Sequence, residues 1–321
     1  MKKVLKVLGI LLGVIILVIA LVATYNQFAP IPSYEVNAPD LKVEPDSTRL
    51  ARGAKIVGTT CTFCHSGQSD KLDGKLLEDD PAFGTIYTAN ITQHPEHGIG
   101  KYTDGELLYL FRTGIKRNGQ LAMPMMSRLP HISDEDIYSI IAYLRSDAPE
   151  LKASEQAWPE PKLGFVGKAL SRLVFKPLPY EGQSIPPQDT QNLVVYGKYL
   201  ATDMLECYNC HSASFETNNV LEPEKSAGYF GGGNKIEMKG KGLIYSPNIT
   251  MHKEKGIGAW TEAQFVEAVK NRKRPNGASL NPIMPDYSKL SDQEIKAIWA
   301  YLQTVPVLDN DVFLIASGEA K

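Results

Sequence analysis

The chain has 321 residues, room for about two domains, and its 34 Lys+Arg against 36 Asp+Glu leave a formal net charge of −2. That balance gives no basic footprint for nucleic acid, and a mean hydropathy of −0.20 excludes a polytopic membrane protein. Four cysteines are too few for a disulfide-dense secreted scaffold of this length. At the amino terminus Lys2, Lys3 and Lys6 precede an uncharged, mostly apolar run from Val7 to Ala23. Its 17 residues exceed the ~7–15 of a secretory h-region and reach the ~17–25 of a spanning helix. Ala20 and Ala23 make a poor cleavage site, so residues 1–25 are expected to form an uncleaved anchor rather than a signal peptide or a buried soluble helix. The lysines should stay cytoplasmic, and both export readings place everything after Thr24 outside the inner membrane.

Next comes a helix over Ser47–Val57, signalled by Asp46-Ser47 as cap and by Leu50, Ala54, Ile56 and Val57 as apolar face. It leads into Cys61-Thr62-Phe63-Cys64-His65. Further on, Ser133-Asp134-Glu135-Asp136 opens a helix through Leu144, with Ile137, Ile140, Ile141 and Leu144 as its stripe. Seven prolines between Asp147 and Thr190 predict an extended linker that packs along the surface, with a short helix around Phe165–Phe175. A helix over Asn192–Leu205 precedes Cys207-Tyr208-Asn209-Cys210-His211, and Ser291-Asp292-Gln293-Glu294 opens a last helix through Leu302. The Ser-x-x-Glu spacing suits a capping box better at Glu294 than the Ser-x-x-Asp spacing does at Asp136. Strands are scarce in this pattern, so the fold class is mainly α with long loops. The tail after Pro306 is expected to be loosely held.

An internal repeat organises the chain. Gly84–Arg145 aligns without gaps on Gly242–Gln303 at an offset of 158, with 23 of 62 positions identical. Asn90-Ile91-Thr92 matches Asn248-Ile249-Thr250, Gly98-Ile99-Gly100 matches Gly256-Ile257-Gly258, and Ala142-Tyr143-Leu144 matches Ala300-Tyr301-Leu302. The two Cys motifs are offset by 146 instead, so the second copy carries extra residues before the shared block. The glycine-rich stretch Ser226–Gly242 is the expected place for them. The unit is too long for a solenoid array, which makes this a duplicated domain.

Both Cys motifs read C-x-x-C-H, the attachment signature of c-type haem. Two thiols spaced this way reach both porphyrin vinyl groups, and the next residue presents an imidazole to the iron. The alternatives are a zinc half-site, which wants further Cys or His ligands nearby, and a redox pair, which needs neither the following His nor a second copy. For the sixth iron position, only Met126 and Met284 among eight methionines pair at the offset of 158. Each lies seven residues before a Ser-Asp helix cap, two after a proline (Pro124, Pro282). Met123 and Met125 compete with Met126 in the first copy. His94 and His252 pair at the same offset and offer bis-histidine ligation or a polar surface role; His97 and His131 have no counterpart and read as surface residues. His/Met ligation closes the iron to substrate and favours the ferrous state, which points to electron transfer. Tyr87/Tyr245, Asn90/Asn248 and Thr92/Thr250 suit propionate binding or loop structure, and Tyr102/Trp260 and Tyr143/Tyr301 a haem edge or plain core.

Each half resembles a class I cytochrome c domain, and the Asn90–Asp104 and Asn248–Glu262 stretches are similar to cytochrome c subunits of membrane-bound alcohol and gluconate dehydrogenases and to related bacterial di-haem cytochromes. The resemblance covers about residues 44–305. It implies two tandem class I cytochrome c domains (44–147 and 191–305) behind the anchor, joined by a linker (148–190) and followed by a tail (306–321). It implies two covalent haem c groups anchored by Cys61, Cys64, Cys207 and Cys210, with His65 and Met126 on one iron and His211 and Met284 on the other. Those dehydrogenase subunits typically carry three haems, whereas this chain has two motifs, and Ser127 stands where the pattern prefers the proline that Pro285 keeps. The expected function is electron transfer, not catalysis, by a carrier on the periplasmic face of the bacterial inner membrane. Its partners are then a dehydrogenase, a quinol-oxidising complex or an oxidase, with no nucleic acid. The alternatives are a di-haem peroxidase-like enzyme, which needs an open iron position, and a haem-based sensor or structural subunit.

Overall fold

The structure, a computed structural model, describes residues 2–238 and 242–312. Helix α1 (Lys2–Phe28) spans 27 residues, about 40 Å at the usual rise, and is long and apolar enough to cross a membrane. After it the chain runs extended to α2 (Ser47–Ile56), whose N-cap Asp46 accepts from the Arg49 N–H. A wide π turn (Val57–Cys61) then passes into α3 (Thr62–His65). Threonines support the widening: Thr60 Oγ1 donates to the Ile56 carbonyl and Thr62 Oγ1 to that of Gly58. Single π turns of this kind gather at functional sites.

A hairpin of β1 (Leu76–Asp80) and β2 (Gly84–Tyr87) follows, then α4 (Asp104–Thr113), which opens on a Thr103/Glu106 capping box. Helix α5 (Asp134–Leu144) is capped by Ser133, whose side chain accepts from the Asp136 N–H. The proline-rich stretch crosses the surface of this half. It adds β3 (Lys162–Leu163) to the hairpin, forms α6 (Phe165–Leu173), and is tied down where Leu178 N–H donates to Thr113 and Asp134 N–H to Ile185. The second half repeats the plan: α7 (Leu193–Lys198), a π turn (Tyr199–Met204), α8 (Cys207–His211), a hairpin of β4 (Lys235–Met238) and β5 (Gly242–Tyr245), then α9 (Glu262–Asn271) and α10 (Asp292–Leu302). Glu294 completes a reciprocal capping box with Ser291; Asp136, one methylene shorter, makes none.

In each half the first and last helices cross at a glycine. A Cβ on Gly53 would sit 2.0 Å from the Ser139 carbonyl oxygen, and one on Gly197 would sit 1.8 Å from that of Ala297. Tyr143 and Tyr301 pack at these crossings, so they belong to the helix contact and to the core. The buried residues form one continuous cluster through both halves, from Ile56 and Ile137 to Ile295 and Val305. The seam between the halves also carries an ionic network. Arg52 grips Asp136 with two bonds (2.7 and 2.9 Å) and reaches Glu294 across the seam (3.0 Å). Lys55 adds a second cation to Glu294 (2.9 Å), and the Tyr199 hydroxyl donates to Asp136 (2.6 Å).

The mainly α reading holds, and the structure adds two short hairpins to it; β1 is Leu-Leu-Glu-Asp-Asp and lies largely at the surface, where strand and loop compositions converge. Two expectations are corrected. The extra residues of the second copy begin before Ser226 and end before Gly232, so they overlap only the start of Ser226–Gly242. Gly74 N–H donates to the His65 carbonyl and Gly232 N–H to that of His211, and both glycines take positive φ (82° and 69°). Gly232 is therefore the counterpart of Gly74, and the insertion lies between His211 and Gly232, where two short helical turns (Phe215–Thr217 and Pro223–Lys225) have no partner in the first copy. Nor are residues 307–312 loosely held: Asn248 Nδ2 donates to the Leu308 carbonyl (2.8 Å), and Asn310 Nδ2 to those of Gly231 and Gly232. The rest of the tail lies outside the described residues.

Candidate functional site

Each C-x-x-C-H motif follows at or just after the end of its π turn, and this packs Cys61 and Cys207 against the core. Cys61, Cys64, Cys207 and Cys210 are unpaired and half-buried. Burial pushes the Cys61 thiol up to about 11, Cys207 to about 12 and Cys210 to about 11. Thiols held neutral in this way suit neither a zinc half-site nor a reactive redox pair, both of which use thiolate.

The histidines are aimed by matched carbonyls. His65 Nδ1 is 2.7 Å from the Ala89 carbonyl oxygen, and His211 Nδ1 is 2.9 Å from that of Pro247. A carbonyl at Nδ1 fixes the tautomer with the proton there and leaves the Nε2 lone pair for iron, the usual outer support of a metal-bound histidine. Burial lowers both imidazoles from their ordinary value, against the carbonyls, which raise it, so the neutral, ligating form prevails at pH 7. Thr88 in the first copy stiffens the mount by donating to the Cys64 carbonyl (2.9 Å). The residues present thus fit a covalently attached haem in each half: two neutral thiols, then an oriented neutral imidazole.

Met126 and Met284 occupy equivalent turns. Met126 N–H donates to Met123 (2.9 Å) and Met284 N–H to Asn281 (3.0 Å), and both side chains pack against the core. Met125 points into solvent, and Met123 stands where the second copy has Asn281, so neither rival sits at the repeated position. Sequence reading missed the clamp on these loops. Arg272 donates to the carbonyls of Asn281, Met284 and Pro285 (2.8, 2.9 and 3.0 Å). In the first copy Arg112, fully buried, binds the carbonyls of Leu129, Pro130 and Ile132 and the Asp134 carboxylate. Arg112 and Arg272 are not equivalent in the repeat, which is why alignment passes over them.

The repeated Asn and Thr residues hold backbone. Asn90 Oδ1 accepts from the N–H and hydroxyl of Thr92, while its Nδ2 donates to the carbonyls of Ser154 and Gln156. Asn248 does the same with Thr250, Leu308 and Asn310. Each clamp straps the chain that follows the last helix onto its domain. Tyr87 stacks on Trp158 at 4.7 Å within the first of these straps. His94 Nδ1 accepts from the N–H groups of Glu96 and His97, and His252 Nδ1 from those of Glu254 and Lys255. The remaining ring proton then lies on Nε2, facing Glu155 and Asp309 respectively. A histidine so placed is a donor, which argues against bis-histidine ligation. The same tautomer disqualifies the grouping of His94, His97 and Glu155 as a metal site.

The two sites touch. Glu206, which precedes Cys207 with φ 47°, is buried and accepts a hydrogen bond from Ser127, the residue after Met126. Burial pushes its carboxyl up to about 7, against the Ser127 bond and Arg128, which lower it. Tyr287 lies beside Cys207, Cys210 and Glu206, and burial followed by those neighbours raises its phenol well above the ordinary value. Its position in the first copy is Leu129.

The fold and these sites define a protein of two cytochrome c domains behind an apolar helix. Residues 194–306 match the family described as Cytochrome c, and residues 48–144 match that described as Cytochrome C oxidase, cbb3-type, subunit III. The chain therefore contains two cytochrome c domains and carries two covalently bound haem c groups. It is similar to the fructose dehydrogenase cytochrome subunit of Gluconobacter japonicus, at 29% identity over 80% of this chain and 52% of that protein. The alcohol dehydrogenase (quinone) cytochrome c subunit of Gluconobacter oxydans is 26% identical over 83% of this chain and 56% of its own length. A diheme cytochrome c-type protein of Cereibacter sphaeroides is 26% identical over 81% of this chain and 86% of that protein. The chain spans about half the length of the dehydrogenase cytochrome subunits it matches.

Proposed function

We propose that this chain is a membrane-anchored di-haem electron carrier. Cys61 and Cys64, and Cys207 and Cys210, form the thioethers; His65 and Met126 ligate one iron, His211 and Met284 the other. Haem iron supplies a one-electron couple, and the protein's part is to hold both axial ligands still. A single observation carries the reading: imidazoles aimed by matched carbonyls and methionines in matched turns occur in both halves. With a His and a Met on each haem iron no position would be left for substrate, which favours electron transfer over peroxidase chemistry. The Ser127–Glu206 contact supports transfer between the halves, because it joins the methionine loop of one site to the attachment motif of the other.

Helix α1 is the anchor in this reading, with Lys2, Lys3 and Lys6 on the cytoplasmic side and the cytochrome domains in the periplasm. The names of the relatives support a dehydrogenase as electron donor, with an oxidase or another carrier as acceptor. The far-red spectrum of the ferric protein tests the ligands. A weak methionine–iron band is expected, with half lost in Met126→Ala and half in Met284→Ala. Absence of the band in the unmodified protein, or rapid turnover of hydrogen peroxide with a high-spin ferric signal, sinks the carrier reading.

A further inference from the structure

The linker contains a helix whose faces are reversed for a soluble protein. On α6, Gly167 is the buried residue, and a Cβ there would lie 2.4 Å from the Phe83 carbonyl oxygen. Phe165, Val166, Ala169, Leu170 and Leu173 fall on one stripe, and of these Phe165, Val166 and Leu173 are exposed, Leu173 by 77%. A helix folded against its own domain normally turns such a stripe inward. Its charges are one-sided as well. Residues 162–179 contain Lys162, Lys168, Arg172 and Lys176 and no acidic residue, in a chain whose total is −2.

The place of α6 supplies the occupant. It is bolted to the last turn of α1: Asn26 Nδ2 donates to the Phe165 carbonyl (2.9 Å), Lys168 to that of Gln27 (2.8 Å), and Arg172 to both oxygens of Asn26 (2.9 and 2.8 Å) and to the carbonyl of Ala29. Arg172 also lies over the Tyr25 ring, 5.8 Å from its centroid. Tyr25 and Phe28 are exposed at this end of α1, where aromatic residues mark a bilayer boundary. We infer that α6 is an interfacial helix: it lies in the headgroup–acyl boundary of the bilayer that α1 crosses, apolar stripe toward the chains and the exposed Lys162 and Lys176 toward anionic phospholipid. This inference rests on α1 being the anchor. With α1 across the bilayer and α6 hydrogen-bonded to its last turn at one leaflet, the cytochrome domains hold one tilt above the membrane instead of swivelling on a tether.

The test uses full-length holoprotein in vesicles of phosphatidylethanolamine and phosphatidylglycerol. A nitroxide is attached at Leu173→Cys or, separately, at Leu12→Cys in the middle of α1, and collision with oxygen is compared with collision with a water-soluble nickel chelate. The native cysteines are thioethers in the holoprotein by the reading above, so labelling is specific, and both sites are exposed enough to take the change without unfolding. Oxygen-favoured accessibility at both positions is the expected result. A water-like signal at Leu173 beside a lipid signal at Leu12 overturns the interfacial helix and leaves the anchor standing. Water-like signals at both overturn the two together, and a lipid signal at Leu173 alone supports α6 while refuting the anchor. Immobilisation of the Leu173 label without oxygen preference indicates a protein partner on this face and overturns the proposal.

Discussion

Replacing Arg52 by Met should uncouple the two cytochrome halves. The guanidinium is the shared cation of two carboxylates, and the side chains of Arg52, Asp136 and Glu294 are 21%, 11% and 6% exposed. Removing one partner of a buried ion pair costs about 3–5 kcal/mol, mostly as the penalty on the charge left behind. Two groups soften the loss here, since Lys55 remains on Glu294 and the Tyr199 hydroxyl on Asp136. The lower figure, about 3 kcal/mol, is therefore expected at pH 7. The pH dependence follows from Glu294. Burial pushes its carboxyl up, but the Ser291 N–H and the Lys55 ammonium outweigh burial and hold it below its ordinary value. A carboxyl depressed in the folded state stabilises above the unfolded pKa, near 4.3 for Glu, and that contribution is lost as pH falls through the folded value. Guanidinium unfolding of the holoprotein, followed by haem absorbance and by tyrosine and tryptophan signals, gives the assay. In Arg52→Met the halves should unfold in separate steps, with the earlier step shifted by the stated amount, and Arg52→Lys should recover only part of it because it cannot grip Asp136 with two bonds. A change below about 1 kcal/mol, the scale of an exposed pair, would refute the view that this network holds the halves together.

Three further outcomes are expected. Glu206 sits beside the second attachment motif, and its carboxyl is pushed up to about 7, so the potential of that haem should fall as pH rises through neutrality and a negative charge appears. Potentiometric titration of Glu206→Gln should remove this slope and leave the potential higher at pH 8.5 by on the order of tens of millivolts; an unchanged slope excludes Glu206 as its source. Folding stability carries the same sign, because an acid raised in the folded state weakens the fold as pH climbs from the ordinary Glu value to about 7. Asn248→Ala strips two bonds from Thr250 and two carbonyl contacts from the strap, a cost of about 2 kcal/mol. The lower guanidinium midpoint should come with faster proteolysis near Val307, and a midpoint within error of the parent rejects the clamp. Arg272→Gly removes the three donors on the Met284 loop while accommodating the left-handed φ of 60° at that residue. The far-red band assigned to Met284 should weaken and that of Met126 should stay; full intensity would show that the loop holds without its arginine.

What was legible in the amino-acid sequence is what chemistry writes locally. Cys61-Thr62-Phe63-Cys64-His65 and its second copy name their cofactor because thioether attachment and proximal ligation need residues at fixed neighbouring positions. Helix starts at Asp46, Ser133 and Ser291 were readable because a cap acts within three residues of itself. Met126 and Met284 stood out because a duplicated domain is its own alignment.

Tertiary structure decided everything that depends on which distant segments meet. The carbonyls of Ala89 and Pro247 aim the haem-site histidines from 24 and 36 residues away, and any residue type supplies a carbonyl, so no side chain announces the role. Asn90 and Asn248 were open between propionate and backbone until Ser154 and Leu308 were placed against them. Arg52 reads as one more helix-surface cation until Glu294, 242 residues on, arrives beside it. Glu206 and Ser127 are ordinary loop residues in isolation, and only the packing of one half on the other puts the methionine loop of the first site against the attachment motif of the second. The sequence by itself determined that there are two C-x-x-C-H sites, each suited to a covalent haem, on two copies of one domain. The contacts between segments determined how the histidines and methionines are held, where the inserted residues lie and how the two halves face each other, because those depend on the closure of long loops that no local pattern records.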